Sequence, residues 1–315
     1  MNSPLVSVLI PAYNHENYVQ ETIKSIINQK YKNIELIVLD DGSSDSTFQK
    51  INEMKEECEK RFSGVIFRSK VNEGTCATLN KLIEFSSGEY LYIIASDDLA
   101  KPNAIKEEIE FLEKNKDYSL CVGNNEFIDS EGKVCYWADD EHEITYNPEN
   151  AKFKTFFDAI KPDNIEYFGK YPSLYIKNHV PNGYLIRKSI LDKIGEFTSE
   201  APMEDWYLML QISKFSKMKY LDKILFSYRW HGTNTVKNRE KMLLYSEKTI
   251  LYEEKIINYL DKFSISPEVF DAIKNGVVYK KQGIPFVFEV VKIIKSGKKL
   301  RQIRIFNIPI LEFEK

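Results

Sequence analysis

Three short stretches concentrate carboxylates, Asp40-Asp41-Gly42, Ser96-Asp97-Asp98 and Glu204-Asp205, and a fourth sets Arg229 and His231 two residues apart. The first two pairs close apolar runs, "IELIVL" and "EYLYIIA". Side chains alternate along an extended chain, so each Asp pair can serve two ligands provided the backbone stays extended. Acids in this arrangement suit a hard divalent cation, Mg2+ or Mn2+, held by one or two carboxylates with water and phosphate oxygens completing its shell. A diphosphate placed among so many acids would be repelled; the cation resolves that conflict and acts as a Lewis acid. The competing reading of "DDGSSDST" is a turn with an ordinary helix cap, because Asp, Gly and Ser are turn residues. Several strand ends carrying the same chemistry favour a site over a set of turns.

Glu204 and Asp205 open a stretch whose apolar positions, Leu208, Ile212 and Phe215, recur at helical spacing. A helix amino end holds an acid ionised, and a carboxylate there can take a proton from a hydroxyl. Simple capping is the alternative. His231 follows an apolar strand and is read as a ligand of the metal or of a diphosphate, whereas Arg229 is evenly balanced between site and scaffold. His142, inside the charged run "DDEHE", is read as part of a solvated loop, and His15 and His179 receive no role.

The elements that must carry these residues alternate along the first 130 positions. "LVSVLI" is a buried strand that Pro11 is expected to end, since proline has no N–H for the ladder, leaving Ala12, Tyr13 and Asn14 at the mouth of a cleft. Asn14 is a plausible N-cap for a helix whose stripe is Val19, Ile23, Ile26 and Ile27. Strands at 34–41, 64–69 and 89–98 and "YSLCVGNNEFID" alternate with helices: one from a Ser46/Gln49 capping-box spacing to about Arg61, one carrying Leu79, Leu82 and Ile83, and one opened by Pro102. Runs apolar on both faces between amphipathic helices specify an α/β fold with a mostly parallel sheet covered on both sides, whose ligands sit at the carboxyl ends of the strands.

Composition narrows the class. The chain has 315 residues, 43% of them hydrophobic, with 44 basic against 47 acidic residues and a net charge of −3, so no overall field gathers nucleic acid. Cys58, Cys76, Cys121 and Cys135 lie far apart without a CxxC pair, which reads as reduced thiols and a cytoplasmic setting. The amino terminus has no basic leader, and its apolar run is too short to cross a membrane.

"VSVLIPAYNHENYVQETIKSIINQ", "IELIVLDDGSSDST", "NEGTCATLNKLIEFSSGEYLYIIASDD" and "EDWYLMLQIS" resemble, in order and spacing, the motifs of the family 2 glycosyltransferases with the GT-A fold, over roughly residues 4 to 235. The resemblance implies a Rossmann-like catalytic domain over 1–235, with a nucleotide-sugar half to about 125 and an acceptor half from about 126. It also implies a nucleotide-sugar donor, UDP-linked by preference, a divalent metal, and displacement with inversion at the anomeric carbon. By position, Pro11, Tyr13 and Asn14 match the loop beside the nucleotide base, and either Asp40 or Asp41 the carboxylate that recognises it. Asn72, Gly74 and Asn80 match the segment lining the donor. Asp97 matches a ribose or metal-water contact, Asp98 the metal ligand, with His231 beside it, and Asp205 the catalytic base. Asn182, Gly183, Glu204 and Trp206 fall where the acceptor binds. One departure is visible: the family's D-x-D-D pattern begins here with Ala95.

Residues 236–315 read as a helical extension. Leu243, Ile250, Ile257 and Leu260 share one helical face, and the segment from Val290 to Arg304 has six basic residues and no acid. That tail is expected to be an amphipathic helix, either packed or lying on an anionic bilayer. The implied function is sugar transfer to a glycan, by analogy a bacterial surface polysaccharide on a lipid carrier, from the cytoplasm or the inner membrane face. A sugar nucleotidylyltransferase would want a Gly-rich phosphate loop that "IPAYNHENY" lacks, and an inactive glycan-binding module would not need Asp98 and Asp205.

Overall fold

The computed structural model of the chain describes residues 3–257 and the backbone of 277–284, 288–295, 298–305 and 308–314. The first half runs β1 (Val6–Ala12), α1 (Val19–Ile27), β2 (Ile34–Asp40), α2 (Thr47–Glu53), α3 (Lys55–Arg61), β3 (Gly64–Ser69), α4 (Thr75–Phe85), β4 (Tyr90–Ile93), β5 (Leu99–Ala100), α5 (Ala104–Lys114) and β6 (Tyr118–Ile128). There follow β7 (Val134–Trp137), β8 (Ile144–Thr145), α6 (Phe156–Ile160), α7 (Tyr171–Ile176), β9 (Tyr184–Arg187), α8 (Leu191–Ile194), α9 (Glu204–Phe215), β10 (Lys217–Arg229) and α10 (Arg239–Ile257). The main sheet is ordered β3-β2-β1-β4-β9-β6-β10-β5. Strands β3, β2, β1 and β4 are mutually parallel and β10 is parallel to β6, so their carboxyl ends share one edge. β9 runs antiparallel to both β4 and β6, a reversal within the expected parallel sheet.

All seven residues of β2, and six of the seven of β1, are buried, as strands covered by helices on both faces must be. One apolar cluster packs Val19, Ile23 and Ile26 of α1 and Ile105, Ile109 and Leu112 of α5 under the sheet; the other packs Leu79 and Leu82 of α4 and the α9 residues Leu208, Met209 and Ile212 on the opposite face. Pro11 does not end β1: the β4 ladder stops at Leu9, but pairing with β2 continues through Pro11–Leu39 to Ala12–Asp40. Nor is Asn14 a cap, because α1 starts at Val19 after a turn in which Tyr18 and Val19 donate to the His15 carbonyl. Ser46 makes no side-chain cap; Asp45 takes that part, accepting from the Thr47 amide at 2.9 Å.

The helix expected after residue 236 is present as α10, and it docks through Ile250 and a set of polar groups. Leu243 is 73% exposed while Thr249, Ile250 and Glu253 are buried, and Leu260 lies outside the described residues. Glu253 accepts from Lys214 at 2.6 Å, Gln211 at 2.6 Å and Tyr171 at 2.8 Å, a sealed network joining α10 to α9 and α7. The tail is not a helix. Strands β11 (Val277–Ile284), β12 (Phe288–Lys295), β13 (Lys298–Ile305) and β14 (Ile308–Glu314) form an antiparallel sheet. The register pairs Lys295 with Lys298 across Ser296-Gly297. A two-residue Ser-Gly link between runs rich in Val and Ile is a hairpin signal, and it outweighs the apolar spacing that suggested a helix.

Gly183, expected to line the acceptor pocket, has a structural duty at the start of β9. Its φ is +73°, and an added Cβ would meet the Phe226 ring at 2.0 Å. Gly183→Ala should therefore lower the unfolding free energy by about 2–4 kcal/mol, from overpacking and left-handed backbone together. Urea unfolding checks this, and an unchanged midpoint would mean that Phe226 does not crowd the position.

Candidate active site at the carboxyl edge of the sheet

Two loops at this edge are laced together. Asn14, at φ 53°, donates its amide to Ser43 Oγ (2.9 Å) and accepts from the Ser44 amide through Oδ1 (2.9 Å). Asn is among the few residues that take this left-handed conformation readily. The His15 amide donates to Thr47 Oγ1 (2.8 Å), and the Glu16 amide to Asp45 (3.2 Å). "DDGSSDST" is thus both a turn and the brace that aims residues 13–16. Tyr13 stays 48% exposed at the cleft mouth, where a flat ligand can stack, and Pro11 is half-buried behind it.

The two acids after β2 have different partners. Asp40 accepts from the Ser69 hydroxyl (2.7 Å) and from Ser43, while Asp41 accepts from the amides of Glu73 (3.0 Å) and Gly74 (2.9 Å) and pairs with Lys70. Burial acts to raise the Asp41 pKa, but those hydrogen bonds outweigh it and hold the group ionised. Gly42 permits the approach: its φ is +72°, and a Cβ there would meet the Asn72 amide at 2.8 Å. Asn72 itself is exposed. Asn80 is a packing residue, bonded through both amide atoms to the Phe197 backbone at 2.9 Å.

After β4 the chain leaves the extended form and turns at Ser96-Asp97, so strand alternation does not divide the next two acids. Asp97 Oδ2 lies 2.9 Å from His231 Nε2 and 3.7 Å from His15 Nε2. These three side chains offer ligand atoms that all fall within 4.8 Å of one another. Asp98, the expected metal ligand, points elsewhere: its carboxylate accepts from the Arg229 amide at 2.8 Å and is 2% exposed. Burial, then the neighbouring Asp97 charge, pushes the Asp98 carboxyl well above the usual range. Burial works on Asp97 in the same sense, but the His231 hydrogen bond and the fields of both histidines prevail and hold it low. The pair is split into one acid that stays charged and one that resists charging.

His15 was not legible from spacing; its part comes from the lacing of two distant loops. Burial lowers its pKa, partly offset by Asp97. Tyr18, equally without a sequence signal, stacks on the His231 ring at 4.8 Å and lies under the Arg229 guanidinium at 5.0 Å. Arg229 is fully buried and serves as scaffold. His142 is not in a solvated loop: it is half-buried against Trp137 (4.1 Å) and Trp230 (5.4 Å). An open cavity of about 490 Å³ beside His231 is lined by Asp129, His142, Tyr146, Trp230 and Lys237, among others.

At the start of α9, Asp205 accepts from the Trp206 amide (2.6 Å) and from Asn178 (3.1 Å), and both Glu204 and Asp205 keep partial exposure. Trp206 is a core residue, 8% exposed, with its indole N–H on the Leu174 carbonyl at 2.7 Å. The Asn125 side-chain amide faces the Asn182 backbone, and turned with its oxygen toward the Asn182 N–H (3.1 Å) and its NH2 toward the Asn182 carbonyl (3.2 Å) it satisfies both. Burial first, then Asp98, Asp97 and Asp205, push the Tyr228 phenol well up, so the acids of both loops lie within electrostatic reach of one buried ring. Hard and borderline donors, two imidazoles and one ionised carboxylate, fit a divalent cation, while burial pushes the Asp205 carboxyl above its ordinary range.

Comparison with known proteins gives a consistent set of similarities. The family model "Glycosyl transferase family 2" matches residues 7–178. An uncharacterized glycosyltransferase of Haemophilus influenzae is 32% identical over 247 residues, 76% of this chain and 70% of that protein. The chondroitin synthase of Pasteurella multocida is 28% identical over 75% of this chain, which spans only 22% of that enzyme. Among solved structures, S. aureus TarS 1-349 in complex with UDP-GlcNAc is similar with a TM-score of 0.56 at 15% identity, covering 79% of this chain and 66% of the TarS 1-349 chain. Mannosyltransferase PcManGT of Pyrobaculum calidifontis, in complex with GDP-Man and Mn2+, gives 0.58 at 13% identity, covering 87% and 72%. At these identities the structures establish the fold.

Burial first, then the Asp205 charge, raises the Glu204 pKa from its ordinary 4.5 to about 7. The folded state then holds a proton that the unfolded chain releases, so Glu204 costs stability as pH rises from about 4.5 through about 7. Glu204→Gln should melt higher than wild type at pH 8 and no higher at pH 4. An equal difference at both pH values would show that Glu204 titrates normally.

Proposed function

Because the chain belongs to glycosyl transferase family 2, we propose that it moves a sugar from a nucleoside diphosphate donor, UDP by preference, to a hydroxyl of a growing glycan with inversion at the anomeric carbon. The observation that carries this reading is the meeting of Asp97, His231 and His15 at the carboxyl edge of the sheet. Tyr13, Pro11 and Asn14 line the nucleotide side, with Asp40 or Asp41 reading the base and Asn72 and Gly74 beside the donor. Asp97 and His231 hold Mn2+ or Mg2+, which when bound offsets the charge of the departing diphosphate. Asp205 takes the proton of the acceptor hydroxyl as its oxygen attacks the anomeric carbon and the nucleoside diphosphate leaves from the opposite face. Asp98 acts through Arg229, keeping the Asp97 turn in place.

The TarS complex supports a UDP-linked donor, and the PcManGT complex shows this fold holding a nucleotide sugar with Mn2+. Similarity to a chondroitin synthase supports a polysaccharide acceptor. Asn182 and Glu204, with the aromatic and acidic cavity beside His231, provide hydrogen-bonding surface for it. A lipid-linked acceptor accords with the basic residues of β12 and β13 and with peripheral contact to an anionic membrane. Among the described residues no helix is long and apolar enough to cross one.

Asp97→Asn should abolish metal-dependent donor binding and transfer while the protein still folds; full transfer by this variant would refute the assignment. Asp205→Asn keeps the side-chain shape but loses the proton acceptor, so donor affinity should hold while turnover falls by about 10²-fold or more. Loss of donor affinity instead would move Asp205 into the donor site. Metal-dependent hydrolysis of UDP-GlcNAc by wild type separates an enzyme from an inactive glycan-binding module.

A further inference from the structure

We infer that His15 is a third protein ligand of the divalent cation and that it biases the site toward Mn2+ over Mg2+. The inference rests on the metal role proposed for Asp97 and His231. Two residues before Asp97 stands Ala95, exposed and without a donor atom, so the β4 turn supplies one usable carboxylate where a second acid would have fitted. The remaining donors come from two other loops. His231 Nε2 and His15 Nε2 lie 2.9 and 3.7 Å from Asp97 Oδ2, and the three ligand atoms fall within 4.8 Å of each other. An octahedral cation with bonds of about 2.1 Å puts adjacent ligand atoms roughly 3 Å apart and opposite ones about 4.2 Å apart, so both histidines are at or close to coordinating separation.

The outer contacts also point the rings inward. His15 Nδ1 is 2.8 Å from Ser96 Oγ, and His231 Nδ1 is 2.9 Å from Thr233 Oγ1 and 3.3 Å from the Thr233 amide. Ser96 Oγ can accept from His15 Nδ1, the arrangement by which an outer partner orients a metal-binding imidazole and leaves Nε2 directed at Asp97, whereas His231 Nδ1 accepts from the Thr233 amide. The main chain at His15 is tied through its amide to Thr47 Oγ1 at 2.8 Å, and its ring is held by Ser96. Mg2+ prefers oxygen ligands and retains its waters, whereas two imidazoles and a carboxylate suit Mn2+ and its transition-metal neighbours.

The test is Mn2+ binding to the full chain, alone and with UDP, followed by electron paramagnetic resonance and by the nitrogen modulation of its spin echo. Wild type should show two coupled imidazoles and bind Mn2+ more tightly than Mg2+. His15→Asn keeps an amide group to meet Ser96 but lacks the Nε2 ligand; it should show one imidazole, weaken Mn2+ about tenfold or more, and narrow the preference over Mg2+. Ser96→Ala, which leaves all three ligands in place, should keep both imidazoles with a smaller loss. Two imidazoles and unchanged affinity in His15→Asn would overturn the inference while leaving the Asp97–His231 site standing. If wild type bound no Mn2+ under either condition, the metal reading would fall and this inference with it.

Discussion

The geometry of the site depends on one buried guanidinium. Arg229 has no exposed surface, and a charge in that position must be matched on every side. Its Nε donates to the Asp97 carbonyl (2.7 Å), Nη1 to the carbonyls of Asp129 (3.3 Å) and Ser130 (3.2 Å), and Nη2 to Glu21 (2.6 Å). Its own amide holds the Asp98 carboxylate. Glu21 is 52% exposed, so that ion pair is screened and contributes little by itself. The carbonyls matter more: they bring the ends of β4, β6 and β10 to one point. The turn that presents Asp97 to His231 is held from behind by this residue, which touches no substrate in the proposed reaction.

A second constraint places Asp205. Helix α9 carries both carboxylates at its amino end, and its far end is pinned to α10 by the sealed Lys214–Glu253 pair with Gln211 and Tyr171. Burying such a pair gains little over an apolar contact, but leaving either charge alone would cost about 3–5 kcal/mol. The network therefore fixes where α10 docks more than it adds stability. Thr249 accepts from the Met203 amide just before α9, so the same helix also holds the segment leading into the acids.

The layered α/β architecture was legible because its signals are local and repeated: buried runs of Val, Ile and Leu ending at acids, separated by helices with clear apolar stripes. The site was legible as a set of loops and less so as a set of roles. Asp97 faces His231 while Asp98 turns to the Arg229 amide because the chain turns at Ser96, and a two-residue alternation has no meaning in a turn. His15 sits in a loop with no periodicity, and only its bonds to Thr47 and Ser96, distant in sequence, bring it to Asp97. Trp206, Asn80 and Gly183 occupy positions near motifs but serve packing, a distinction set by neighbours such as Leu174, Phe197 and Phe226. The β-sheet at the carboxyl end was misread because Lys and Val or Ile at mixed spacing satisfy both periods over a short window, and the Ser296-Gly297 link carries the deciding information.

The central claim is that Asp97, and not Asp98, faces the cation that accompanies the donor diphosphate. Crystals grown with Mn2+ and UDP, measured at the manganese absorption edge, locate that ion directly. The anomalous peak should fall between the Asp97 carboxylate and His231 Nε2, next to the nucleotide phosphates, with Asp98 still bonded to the Arg229 amide. A peak on the Asp98 carboxylate, or one between Glu204 and Asp205, would contradict the geometry on which the proposed reaction rests.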